Sequence, residues 1–107
     1  MSIIELHNIQ GLCAEEHRAI RIILDSIDRL ELSLTGLTVL TEVGTNYYLY
    51  TPIIAALAGA KRVYAWTADT PYGLGSKTIK KCKELAEKLD LLDCIEFSNN
   101  KKNIQHI

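Results

Sequence analysis

The sequence predicts an α/β domain built on a three-stranded parallel sheet. Three short segments are predicted as strands, the first of them with the apolar, β-branched composition of a buried strand, and a segment with helical spacing of apolar residues precedes each one. This alternation is typical of parallel sheets, because two parallel strands must be joined by a crossover that usually contains a helix. A length of 107 residues allows one domain, so we expect a single domain over residues 1–107.

The first predicted helix runs from Cys13 to about Leu34, and Gly36 is a suitable stop for it. Its apolar residues recur at intervals of three and four positions, which is the spacing of an amphipathic helix. The packing face consists of Ile20, Ile23, Leu24, Ile27 and Leu30. The residues before this helix are ambiguous, but three of them could close one end of a core: Ile3, Ile4 and Leu6.

The first strand is predicted at Thr38–Val43, where a short β-branched apolar run suits a buried parallel strand. Thr51 and Pro52 are expected to begin the next helix, with threonine as the N-cap and proline at the first helical position. Gly59 is predicted to end that helix.

The second strand is predicted at Arg62–Thr67, with Trp66 in the core. Ser76 can cap a third helix, and the third strand is predicted at Cys94–Phe97. The apolar face of the third helix consists of Ile79, Cys82, Leu85, Ala86 and Leu89.

Right-handed crossovers place these strands in the order three, two, one, and put both crossover helices on the same face of the sheet. The first strand then has an unpaired edge, and the opposite face has no helices. Purely parallel sheets are normally covered on both faces. We therefore expect the bare face to be covered by a second copy in a homo-oligomer or by the remainder of a longer chain.

Charge and cysteine content argue against several classes of protein. The net charge of −1 gives no reason to expect a nucleic-acid or membrane partner. The three cysteines lack a C-x-x-C pair and suggest neither a disulfide framework nor a metal site. Cys82 on an apolar helical stripe and Cys94 beside a strand are predicted to be buried structural thiols. The amino terminus lacks the basic region of a signal peptide. We expect a cytoplasmic protein, because free thiols suit a reducing compartment.

Two segments carry a resemblance to a known family. Glu42-Val43-Gly44 places an acid and a glycine at the end of the first strand, and AALAGAKRVYA spans the next helix and strand. With the preceding helix, residues 30–97 resemble the amino-terminal half of the Rossmann-like methyltransferases that use S-adenosylmethionine. The resemblance implies a three-layer α/β half domain with S-adenosylmethionine as its cofactor.

The resemblance also implies the cofactor-binding residues. In the family, the loop after the first strand reads acid-x-Gly-x-Gly-x-Gly and passes its backbone against the cofactor, while an acid ending the second strand binds the ribose. By this correspondence the backbone of Gly44, Thr45 and Asn46 approaches the ligand, and three side chains supply polar contacts: Glu42, Thr67 and Asp69.

The loop departs from the family pattern at two of its glycines. Asn46 stands at the second glycine position, and asparagine tolerates a left-handed backbone. Tyr48 stands at the third and adds a ring that would fill space beside a cofactor. The later strands, where the family's catalytic residues usually lie, have no counterpart here, and we assign no catalytic residue.

Structural roles compete with each candidate binding residue. The Glu42 carboxylate could bind a ligand or order the following loop, and Asp69 could bind a ribose or begin a turn. The tyrosines at 47, 48 and 50 could line a ligand pocket or form a subunit contact.

Two functions follow. The first is a region that binds S-adenosylmethionine or a nucleotide, in a methyltransferase-like protein whose catalytic half is missing. The alternative is a non-enzymatic assembly module on a degenerate form of the same fold. A nicotinamide-linked enzyme is a third hypothesis, but no G-x-G-x-x-G motif follows the first strand.

Overall fold

The computed structural model describes residues 1–43, 49–66 and 75–98, and only the backbone of residues 75 and 76. Its elements, in chain order, are α1 (Ile3–His7), α2 (Ala14–Arg29), β1 (Thr38–Glu42), α3 (Thr51–Leu57), β2 (Arg62–Trp66), α4 (Gly75–Lys88) and β3 (Ile95–Ser98). This order confirms the α/β class predicted from the alternation of strand and helix patterns.

The three strands form one sheet in the order β1-β2-β3, with β2 in the centre. Both pairings are parallel: Val39 lies opposite Val63, and Val63 lies opposite Ile95. The predicted three-stranded parallel sheet is confirmed.

The core lies on one face of this sheet. Val63 and Ala65 of β2 are fully buried, and Ile95 of β3 is nearly so. The alternating residues of the same strands, Tyr64, Trp66 and Glu96, are exposed or half-buried. Helix α3 packs on β1 and β2, and α4 packs on β3. Helix α2 contributes to the same core, whose fully buried large side chains include Leu6, Ile20, Val43, Ile53, Val63, Cys82 and Leu85.

Two strand predictions are wrong for the same reason. No residue of β1 is buried, and Leu40 is 49% exposed, although a buried strand was expected. Trp66 is half-buried and lies on the face opposite Val63 and Ala65, outside the core. Among the described residues, helices pack on one face of the sheet only, and β1 pairs with β2 alone. A strand covered on one face buries only alternate side chains.

Helix α2 ends at Arg29, so the prediction that it extends to Leu34 with Gly36 as its stop is wrong. Glu31 adopts a left-handed conformation with φ of 51°. The Glu31 N–H donates to the Asp28 carbonyl and the Leu32 N–H donates to the Ile27 carbonyl. These two bonds form a Schellman motif, which ends the helix without glycine. Leu30, expected on the packing face, is 76% exposed.

The other helix ends differ from expectation by small amounts. Tyr50 is the N-cap of α3, and Thr51 is its first helical residue. Gly59, with φ of 95°, follows the C-cap of α3, as predicted. Helix α4 begins at Gly75, so Ser76 lies within it and does not precede it. The ambiguous amino-terminal segment forms α1, of which Leu6 is fully buried and Ile4 is 75% exposed.

Candidate functional site

The carboxyl ends of the three strands lie side by side at one edge of the sheet. Glu42 of β1 lies opposite Trp66 of β2, and Trp66 lies opposite Ser98 of β3. Residues that are opposite each other in a parallel sheet point to the same face. The row therefore places a carboxylate, an indole and a hydroxyl together on the face of the sheet opposite the core.

Glu42 is held in place by the residue that follows it. The Val43 N–H donates to the Trp66 carbonyl at 2.8 Å, and the Val43 side chain is fully buried in the core. Because side chains alternate along a strand, the buried Val43 directs Glu42 to the opposite face, where it is exposed. The Thr41 hydroxyl donates to the Glu42 carbonyl at 3.3 Å. An exposed carboxylate in this position can accept hydrogen bonds from ribose hydroxyls or an amine.

The structure describes one of the six predicted binding residues, Glu42. The other five lie outside the described residues: Gly44, Thr45, Asn46, Thr67 and Asp69. In the sequence, three of them follow β1 and two follow β2, and a 2.8 Å bond from the Val43 N–H to the Trp66 carbonyl joins the ends of these two strands. Tyr47 and Tyr48 also lie outside the described residues.

Tyr50 has a packing role. It is half-buried against the core, and burial raises the pKa of its hydroxyl, with smaller contributions from Glu15, Glu16 and Cys13. The carbonyl of the preceding residue, Leu49, accepts a hydrogen bond from the Cys82 thiol at 3.3 Å. The start of α3 is thereby attached to α4.

The two cysteines predicted to be structural are protonated packing residues. Burial raises the pKa of Cys82 to about 12. Burial also raises the pKa of Cys94, against a smaller lowering by Arg62, and its thiol donates to the Ala60 carbonyl at 3.3 Å. A nucleophilic cysteine needs a lowered pKa, so neither thiol is suited to covalent catalysis.

The two described histidines lie on α1 and α2 and not at the strand ends. The His7 and His17 rings lie 5.2 Å apart between α1 and α2. No group of three or more potential metal ligands is present among residues 1–43, 49–66 and 75–98. Within the same residues, no helix is long and apolar enough to cross a membrane. Two surface depressions are lined by α1 and α2 and by α4 with Leu92, away from Glu42.

Sequence reasoning did not identify three residues of the open face, by which we mean the sheet face on which no described helix packs: Leu40, Tyr64 and Trp66. Their signal is the alternation in β2, where two large aromatic residues alternate with Val63 and Ala65. A period of two in a central parallel strand indicates that one face is covered, whereas a strand buried on both faces is apolar throughout.

No family model, curated protein or solved structure gives a significant match to this chain.

Proposed function

We propose that this chain is the nucleotide-binding half of a Rossmann-like domain and binds an adenosine-containing ligand, first of all S-adenosylmethionine. The observation that carries the proposal is the position of Glu42, exposed at the carboxyl end of a parallel strand and adjacent to Trp66. Ligands of open α/β sheets bind outside the carboxyl ends of the strands. The strand order of three, two, one and the methyltransferase-like assignment are part of this proposal.

The proposed roles follow from the chemistry of the ligand. The Glu42 carboxylate accepts hydrogen bonds from its amine or hydroxyl groups, since an ionised carboxylate is an acceptor of strong, charge-assisted bonds. Thr67 and Asp69 supply further polar contacts, and the backbone of Gly44–Asn46 approaches the ligand closely. No residue of the chain is assigned to methyl transfer.

Calorimetric titration with S-adenosylmethionine and S-adenosylhomocysteine tests the proposal. We expect Glu42→Gln to weaken binding by about 10- to 100-fold, because a hydrogen bond to a charged group contributes about 1.5–3 kcal/mol. Glu96→Gln is the matched control: Glu96 is an exposed carboxylate on the same face, but it lies opposite Tyr64, one row below the end of the strands. Absence of binding at about 1 mM ligand, a Kd weaker than any typical cofactor site, contradicts the proposal.

A second function, assembly without catalysis, is favoured by the one-sided burial of the sheet. Leu40 is 49% exposed, and the sheet buries its side chains on the α3 and α4 face. Purely parallel sheets are normally covered on both faces, which favours association through the open face. Tyr48→Gly separates the two functions: a parent that does not bind ligand, with binding gained in the variant, supports assembly on a blocked site.

A further inference from the structure

The outer edge of β1 presents a row of backbone hydrogen-bonding groups. Among the described residues, β2 is the only strand paired with β1. The Val43 N–H donates to β2, and backbone groups alternate in direction along a strand. The N–H and C=O groups of Val39 and Thr41 therefore point to β2, while those of Thr38, Leu40 and Glu42 point away from the sheet.

This edge lacks the features that normally prevent pairing with another strand. Edge strands are commonly protected by lysine, proline, bulges or inward-pointing charges. The β1 sequence, TVLTE, contains no proline or lysine, and its one charged residue lies at the end. Its central residue is the exposed Leu40.

We propose that two copies of this chain associate by antiparallel pairing of their β1 strands, with Leu40 opposite the equivalent leucine of the second copy. The proposal deepens the assembly function, on which it rests, by naming the partner and the register. It does not depend on ligand binding.

The direction of the outward groups selects this register. Antiparallel strands exchange two hydrogen bonds between opposite residues whose backbone groups face each other. With Leu40 at the two-fold axis, Thr38 lies opposite Glu42 of the other copy, so all three outward residues of each β1 are paired within the strand. A register centred on Thr38 or Glu42 leaves outward groups of β1 opposite residues beyond the strand.

Charge selects the antiparallel direction. In this arrangement the two Glu42 carboxylates lie at opposite ends of the contact, about 14 Å apart at 3.4 Å per residue. Each carboxylate is adjacent to a Thr38 hydroxyl, which can donate a hydrogen bond to it. Parallel pairing in register would place the two carboxylates side by side, and like charges on neighbouring strands are destabilising.

The apolar residues of the open face become continuous across the two-fold axis. Leu40 lies opposite Tyr64 within each copy, so the paired sheets carry a row of tyrosine, leucine, leucine and tyrosine. An edge-to-edge contact buries less than the roughly 1,200 Å² of standard stable interfaces, so we expect a weak, concentration-dependent dimer.

Sedimentation equilibrium at increasing concentration tests whether the chain dimerises through β1. We expect the apparent mass to rise from 12.0 kDa towards twice that value. Leu40→Lys should weaken dimerisation at least tenfold, since lysine on an edge opposes pairing. Ile22→Lys is the matched control, because Ile22 is a 58% exposed aliphatic residue on α2 and should leave dimerisation unchanged.

Disulfide cross-linking tests the register. In a Cys13→Ser background, which removes the exposed thiol, Leu40→Cys should form a disulfide-linked dimer on mild oxidation. Opposite residues of this kind have Cα atoms about 5.5 Å apart, within disulfide range. Thr38→Cys should not cross-link, because its equivalent lies about 14 Å away along the paired strands.

The outcomes separate the proposals. Association that survives Leu40→Lys, or equal cross-linking of the two cysteine variants, overturns β1 pairing and leaves assembly through another surface. A chain that stays monomeric at every concentration overturns both β1 pairing and the assembly function. Neither result bears on ligand binding, which the calorimetric titration measures independently.

Discussion

Cys13 performs a capping role that is usually performed by serine or threonine. Its sulfur accepts a hydrogen bond from the Glu16 N–H at 3.4 Å, and Glu16 Oε1 accepts one from the Cys13 N–H at 3.0 Å. This is the reciprocal geometry of a capping box. Sulfur is a weak acceptor, so the geometry suits serine better than cysteine.

We expect Cys13→Ser to match or exceed the parent in stability, and to exceed Cys13→Ala by about 1 kcal/mol, the usual difference between a capping side chain and alanine. Urea denaturation of the three proteins measures the free energies of unfolding. Equal stability of the serine and alanine variants would show that the cap contributes nothing.

At the scale of the element, the carboxyl ends of α2, α3 and α4 share one motif. After α2, α3 and α4 the chain turns through Glu31, Gly59 and Asp90, which have φ values of 51°, 95° and 60°. In α4 the Leu91 N–H donates to the Ala86 carbonyl at 2.8 Å, completing the same Schellman geometry. Two of the three positions hold an acidic residue where glycine is usual.

Glu31→Gly should stabilise the protein by about 0.5–1 kcal/mol. The left-handed backbone costs a residue with a side chain about 1–2 kcal/mol, and the greater freedom of glycine in the unfolded chain offsets part of that gain. Thermal and urea denaturation provide the measurement.

Gly59→Ala is the opposing control for this prediction. The alanine would have to keep the positive φ of Gly59, and its Cβ would lie 3.1 Å from the Thr35 hydroxyl oxygen. We therefore expect Gly59→Ala to destabilise the protein. A destabilising Glu31→Gly would mean that the Glu31 side chain makes a contribution larger than the backbone cost.

At the scale of the whole molecule, one ion pair of the described residues joins distant parts of the chain. The Lys88 Nζ at the end of α4 lies 3.2 Å from the Glu16 Oε1 at the start of α2, and the two residues are 72 positions apart in the sequence. Burial acts to raise the pKa of Glu16, but hydrogen bonds from the Cys13 N–H and from Lys88, with the charge of Lys88, lower it overall from 4.5.

The lowered pKa makes the contribution of Glu16 dependent on pH. Its stabilising effect is present above the unfolded-state pKa of about 4.5 and is lost as the pH falls through the lower folded-state value. We expect Lys88→Met to reduce stability near pH 7 by less than about 1 kcal/mol, since the pair is partly exposed. The stabilities of parent and variant should converge as the pH falls below the folded-state pKa of Glu16.

Urea denaturation between pH 3 and 7 compares Lys88→Met with Lys80→Met, which removes an exposed lysine of the same helix. A Lys80→Met profile with the same loss at neutral pH would assign the effect to general charge and not to the ion pair.

For the sheet, the strand positions predicted from the sequence agree well with the structure, whereas the predicted burial of individual side chains does not. The sequence located β1, β2 and β3 to within a residue or two, because strand composition is a local property. The exposure of Leu40 and the position of Trp66 were not predicted, since burial depends on which elements pack against each face. Of the candidate site, the position of Glu42 at a strand end was predictable from its place after the β1 pattern.

By itself, the sequence determined the α/β class, the three parallel strands and the packing face of α4, since hydrophobic periodicity is encoded residue by residue. It also determined the part of the α2 face formed by Ile20, Ile23 and Leu24. Only the tertiary structure decided that α2 ends at Arg29, that β1 is exposed and that Trp66 lies outside the core. Each of these depends on hydrogen bonds and contacts formed in three dimensions. Glu31 accepts a left-handed backbone because the bonds from its own N–H to Asp28 and from the Leu32 N–H to Ile27 hold the turn in place. β1 is exposed because the described helices lie on the opposite face.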